Sequence, residues 1–131
     1  MIDHVSIAVR DLDAAARFYE AVLGALGFLK LDDRPVTVGF GKRYSEFWIN
    51  LRPEAPAVAV DCGAHVCLRA TSTGAVDAFY AAALAAGGVS DGAPGLRPHD
   101  GKGGYYAAFI RDPDGNRIEA VTFVARSQPS S

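Results

Sequence analysis

Polar and apolar positions alternate along Ile2–Val9 (IDHVSIAV), with His4 and Ser6 on one face and Val5, Ile7 and Val9 on the other. That period predicts a β-strand with one side against a core. The period then changes. Leu12, Ala15, Ala16, Tyr19, Leu23 and Leu26 recur at helical spacing, which gives one apolar face to lay on a sheet. Asp11 is placed to cap this helix, Asp13 puts negative charge in its first turn, and Gly27 ends it as a left-handed cap. Phe28–Leu31 reads as a short strand and Asp32-Asp33-Arg34-Pro35 as a turn. Thr37–Gly41 and Glu46–Leu51 read as a hairpin around Lys42–Ser45. The first unit is β-α-β-β-β.

The second half repeats the first. His4-Val5 returns as His65-Val66, Phe18-Tyr19 as Phe79-Tyr80, Leu23 as Leu84 and Gly27 as Gly88, each 61 residues on. A constant offset across a strand and a helix predicts two copies of one supersecondary unit. Its parts follow in the same order. Gly63–Ala70 is the opening strand, and Ser72 or Thr73 caps a helix that runs to about Ala86 and stops at Gly87-Gly88. Val89–Gly92 is a short strand, and Ala93–Gly104 is a long loop. Tyr105–Arg111 and Arg117–Val124 form a hairpin around Asp112-Pro113-Asp114-Gly115-Asn116, where Pro113 fixes φ and Gly115 or Asn116 accepts a positive one. The expected architecture is α+β: two tandem β-α-β-β-β modules forming a curved mixed sheet within one domain over residues 1–131. Module one is 1–51, the proline-bearing linker 52–61, module two 62–124 and a polar tail 125–131.

The composition narrows the function classes. A net charge of −2, a pI near 5.8 and the lack of a basic patch point away from nucleic acid and anionic membranes. No apolar run approaches the roughly 20 residues of a membrane span. The chain opens straight into a strand, so no secretory leader is expected. Two cysteines, Cys62 and Cys67, do not make a disulfide framework, and a reducing cytoplasm is the expected compartment.

Three residues stand out chemically. His4 and His65 fall in equivalent opening strands, and Glu119 lies between Ile118 and Ala120 in the last strand, where an unpaired carboxylate is costly. A pseudo-two-fold relation between the modules lets them converge. Two imidazoles and a carboxylate suit Fe(II), Mn(II), Zn(II), Ni(II) or Co(II), and three protein ligands leave positions open for substrate. The alternative is that the three groups simply hydrogen-bond.

The paired modules and the strings IDHVSIAVRDL, GAHVCLRA and DPDGNRIEAV resemble the vicinal oxygen chelate superfamily. That group holds glyoxalases, extradiol dioxygenases, methylmalonyl-CoA epimerases and the bleomycin- and fosfomycin-resistance proteins. The resemblance covers about residues 1–124. It implies a cup around a divalent metal, with His4, His65 and Glu119 as ligands. It also implies a homodimer in which modules can swap, so that His4 of one copy joins His65 and Glu119 of the other. Glyoxalases of the family use a fourth ligand, and aligning the hairpins puts Trp48 at that place. Glu46 and Asn50 lie two residues to either side on the same face.

The resemblance leaves three activities open: a lactoylglutathione-lyase-like reaction through a metal-stabilised enolate with Glu119 as base, extradiol-type ring cleavage, or non-catalytic binding of a small molecule as in bleomycin resistance. His99 in the glycine-rich loop is a candidate acid/base. Alternation turns one of Tyr105 and Tyr106 into the cup, with Tyr106 the catalytic candidate and Tyr105 a pocket candidate. Trp48, Asn50 and Arg69 are candidate pocket residues, with Arg69 suited to an anionic group.

Overall fold

The computed structural model describes residues 1–98 and 104–124. Ten elements follow one another: β1 (Val5–Val9), α1 (Leu12–Gly24), β2 (Leu29–Asp33), β3 (Thr37–Gly41), β4 (Phe47–Leu51), β5 (Val66–Arg69), α2 (Thr73–Ala85), β6 (Val89–Arg97), β7 (Tyr105–Arg111) and β8 (Arg117–Phe123). They form two four-stranded mixed sheets, in the orders β1-β4-β3-β2 and β5-β8-β7-β6. This is the two-module α+β architecture the sequence predicts.

The repeat holds at the level of backbone geometry. The two helices start and end 61 residues apart, and each opening strand pairs in parallel with the last strand of its own module. Asp11 and Ser72 are the N-caps, accepting hydrogen bonds from the amides of Ala14 at 3.0 Å and Ala75 at 3.1 Å. The helices touch each other, and each covers the inner face of its own sheet. Phe18, Tyr19, Phe40, Phe47, Phe79, Ile49, Ile110 and Ile118 fill the space between. Tyr19 meets Phe18 edge-on at 4.9 Å and tilts against Phe47 at 5.0 Å, which fixes α1 over the first sheet.

Several boundaries differ from the pattern-based expectation. β1 and β5 are shorter than Ile2–Val9 and Gly63–Ala70, so His4 and His65 each sit one residue before a strand rather than inside it. Pairing with the parallel partner begins at Val5 opposite Phe47 and at Val66 opposite Ile118. β2 runs on through Asp32 and Asp33, which were expected in a turn. A bulge between Lys30 and Asp32 keeps them in register with β3. β6 likewise runs to Arg97, past the expected stop at Gly92. It is an edge strand, and two register shifts absorb Gly92 and Pro94 that a central strand would reject. Helix α1 ends at Gly24 rather than Gly27, though Gly27 does take a positive φ of 83°. In the second module Gly87, at 101°, does this rather than Gly88. The rest of the expected loop, 99–103, and the tail 125–131 lie outside the described residues. No described helix is long and apolar enough to cross a membrane.

Candidate active site in the second sheet

The register of β5 on β8 brings Cys67 opposite Glu119, and the register of β7 on β8 brings Phe109 opposite Glu119 on the other side. Ile118 and Ala120 point into the core, so Glu119 lies on the face turned away from α2. Its carboxylate is buried nonetheless, with 3% of the side chain exposed. Glu119 Oε1 is 3.0 Å from Nε2 of His65, and Oε2 accepts a hydrogen bond from the hydroxyl of Tyr105. An imidazole nitrogen that carries its proton hydrogen-bonds the carboxylate at this distance, and once that proton is lost both atoms present lone pairs. The same two atoms can share either that proton or a cation. The pair therefore fits two ligands of a divalent metal, with Tyr105 fixing the carboxylate from behind.

Two neighbours are tuned by this carboxylate. Burial, then the hydrogen bond to Glu119, holds the Tyr105 phenol above its ordinary range. Desolvation, then the negative charge of Glu119, pushes the Cys67 thiol up to about 12. Tyr105 thus serves as a proton donor to Glu119, and Cys67 stands as a thiol rather than a thiolate.

The first sheet carries an equivalent station. Ser6 faces Trp48 in the same register in which Cys67 faces Glu119. Trp48 thus occupies the structural counterpart of Glu119 and offers no ligand atom. A cavity of about 470 Å³ on this face is lined by Asp3, His4, Arg34, Thr37, Trp48 and Asn50, among others. The Arg34 guanidinium stacks 5.0 Å from the Trp48 ring, and Thr37 donates to Asn50 Oδ1 at 2.6 Å. His4 is exposed, with Nδ1 2.7 Å from Asp3 Oδ2. His4 and His65 line different cavities, and among the described residues no three His, Cys, Asp or Glu side chains are grouped to hold a metal ion.

The remaining candidates divide. Tyr105 faces Glu119. Tyr106, the expected catalytic tyrosine, instead points the other way and donates to Asp77 of α2 at 2.6 Å, because alternation along β7 gives the Glu119 face to Tyr105. Arg69 lies 4.9 Å above the ring of Phe123, on the same face as Cys67. Glu46 sits just before β4, where its amide bonds the Phe40 carbonyl. His99 lies outside the described residues. The sequence pattern places Arg97 in a loop and gives Arg111 and Asp91 no role. Asp91 holds Arg111 at 3.0 Å and Arg117 at 3.7 Å.

The Asp112–Asn116 turn proves to be a clamp between modules rather than part of the site. Asp112 Oδ1 accepts from the amides of Asp114 and Asn116, and Oδ2 accepts from Tyr19 of α1 and from the Asn116 side chain. Asn116 also donates to the Ala8 carbonyl at 2.9 Å, and Arg10 donates to Asp114 at 2.8 Å. Gly115 closes the turn at φ 89°.

Comparison with known proteins agrees with the two-module fold. A crystal structure of a glyoxalase/bleomycin resistance protein from Albidiferax ferrireducens T118 superposes with a TM-score of 0.80 at 32% identity, covering 91% of this chain and 96% of that one. A fosfomycin resistance protein from Mesorhizobium loti shares the fold at 16% identity and a TM-score of 0.65, covering 93% of this chain and 91% of that one. A Brassica oleracea var. gemmifera protein named "Putative lactoylglutathione lyase" is 33% identical over 124 residues, which are 90% of this chain and 43% of its own length. The family model of the Glyoxalase/Bleomycin resistance protein/Dioxygenase superfamily matches residues 1–120, and the chain belongs to that superfamily.

Proposed function

We propose that the protein is a metal-dependent enzyme that acts on a small substrate bearing two adjacent oxygens and moves a proton at the neighbouring carbon, as a lactoylglutathione lyase does. The observation that carries this reading is the buried Glu119 carboxylate set against His65 Nε2 at 3.0 Å, backed by Tyr105. His65 and Glu119 would hold the metal together with His4, and the metal would supply Lewis-acid stabilisation of negative charge on the two substrate oxygens. His4 belongs to another cavity of the same chain, so the third ligand comes from a second copy of the chain, in a homodimer.

The protein's own groups do the rest. Glu119 Oε1 takes the proton from the substrate carbon and returns it to the adjacent one. Tyr105, donating to Oε2, keeps the carboxylate oriented while Oε1 carries the proton between the two transfers. Burial of Glu119 keeps water from competing for that proton.

One observation favours a second reading. Trp48 stands at the counterpart of Glu119, so a completed site has two histidines and one carboxylate, the ligand set of extradiol-type ring cleavage. Metal analysis separates the two, since redox-active iron supports ring cleavage and zinc or nickel supports the lyase. The common claim is tested by His65→Ala. The residue is half exposed, so the variant should fold and lose stoichiometric metal. One metal per chain retained in the folded variant removes His65 from the ligand set.

A further inference from the structure

The face of the second sheet that carries Glu119 is rich in guanidinium groups. Among the described residues, Arg69, Arg97, Arg111 and Arg117 share it with two carboxylates, Asp91 and Glu119. Asp91 is engaged by Arg111 and Arg117. Arg117 is also tied to the linker through the carbonyls of Val60 and Cys62. Glu119 is engaged by His65 and Tyr105. That leaves Arg69 and Arg97 without an acidic partner among the described residues.

Arg97 differs from Arg69 in being built into place. Its Nη2 donates to the carbonyls of Ala93 and, at 3.2 Å, Ala107, and its guanidinium lies 5.4 Å from the centre of the Phe109 ring. Its Nε is buried and has no hydrogen-bond partner. A planar guanidinium held in place by two carbonyls and a ring face is suited to an oxyanion through the N–H groups those contacts leave over. Phe109 is the direct cross-strand neighbour of Glu119, so Arg97 and Glu119 flank one aromatic ring on a single face. Strand spacing puts such neighbours about 5 Å apart per step. A short molecule can therefore span from the Glu119–His65 pair, across Phe109, to Arg97.

We propose that this face binds a small organic anion, and that Arg97 holds a carboxylate or phosphonate group of the substrate remote from its reacting oxygens. The substrate is then a short dianion rather than a neutral aldehyde or a neutral aromatic. The dianionic substrate rests on the proposed enzymatic function; the anion site itself does not. Arg97 acts as a specificity residue, with its two carbonyl bonds holding it in position and its remaining N–H groups meeting the ligand.

The test has two arms. In the first, chelator-treated protein is titrated with succinate and separately with methylphosphonate, neither of which carries adjacent oxygens of the reacting type, while amide signals of Ala107 and Phe109 are followed by NMR. Saturable shifts with at least one probe, absent in Arg97→Gln and kept in part in Arg97→Lys, are expected. Which probe saturates distinguishes carboxylate from phosphonate. No saturable shift in the unmodified protein, or shifts that survive in Arg97→Gln, overturn the proposal, and the first of these needs no variant to fold. In the second arm, metal-loaded protein is titrated with 2-oxoglutarate and 2-oxobutyrate. A preference for the dianion of about tenfold or more, lost in Arg97→Gln with metal content unchanged, supports the assignment, and equal affinities overturn it. A protein that binds the probes but no metal sinks the enzymatic reading alone.

Discussion

The phenol of Tyr19 donates a 2.6 Å hydrogen bond to Oδ2 of Asp112, across 93 residues of sequence. Tyr19 is fully buried in α1 of the first module, and Asp112 opens the last turn of the second. Two halves that each make their own sheet are thereby joined by a charged, buried contact. Asn116 and Arg10 extend the joint to the end of β1, and Val58 of the linker adds a bond to the Asp114 carbonyl. The same joint fixes where β8 begins, and so where Glu119 stands two residues after Arg117.

Replacing Tyr19 by phenylalanine should therefore cost more than a neutral hydrogen bond would. The ring keeps its packing against Phe18 and Phe47, while a buried carboxylate loses one of its donors. A loss of about 1.5–3 kcal/mol is expected, the range for hydrogen bonds to charged groups. Urea unfolding of Tyr19→Phe at neutral pH measures it. A difference within about 0.5 kcal/mol would mean the contact is replaceable by water.

The same pair sets a pH dependence. Burial, then the charge of Asp112, raises the Tyr19 pKa well above 10.0. The folded value exceeds the unfolded one, so this contribution is fully present below about pH 10 and is lost as pH climbs toward the folded value. Urea midpoints between pH 9 and 11.5 should fall more steeply for the unmodified protein than for Tyr19→Phe. Tyrosines common to both cancel in the comparison. Asp112 is itself held above its ordinary range, by burial first, against the lowering effect of the bond from Tyr19. Protonation is thus easier in the folded state than in the unfolded one, and acid does not open the turn through this residue. Parallel slopes above pH 10 would show that Tyr19 ionises in the native state.

The repeat makes a further prediction about the core. Leu23 and Leu84 are equivalent in sequence, but Leu23 is fully buried and Leu84 is 41% exposed. Leu23→Ala should cost about 2–5 kcal/mol by leaving a cavity under α1. Leu84→Ala should cost under about 1 kcal/mol. Equal losses in thermal or urea unfolding would contradict the burial difference.

That pair also marks how far sequence alone reaches. The 61-residue offset located both helices, and aligning the two hairpins set Trp48 against Glu119, because these depend on local period and on backbone pairing. It did not reveal which helix face is covered, since that depends on how α1 and α2 meet. At the site, His65 and Glu119 were legible as an imidazole and a carboxylate in an apolar context, and one of two alternating tyrosines was expected to face them. Arg97 was not legible. Its strand is interrupted by Gly92, Pro94 and Gly95, which read as a loop, and only pairing with β7 straightens it. The turn Asp112–Asn116 carried the strongest sequence signature, yet its side chains are spent on joining the modules.

The separation of His4 from His65 within one chain leads to a prediction about assembly. If each site takes His4 from one copy and His65 with Glu119 from another, His4→Ala and His65→Ala should each abolish metal binding alone. A heterodimer of the two variants contains one site with both substitutions and one with neither. Random exchange of subunits makes about half of the dimers mixed, so about one quarter of the sites should regain metal. Metal bound per chain after unfolding and refolding the mixed variants gives the number. Recovery near one quarter places the site between copies, and no recovery from well-folded, mixed dimers places all its ligands within one chain. The stoichiometry is what makes the experiment discriminating, because neither variant alone nor any simple gain in stability on mixing yields that fraction.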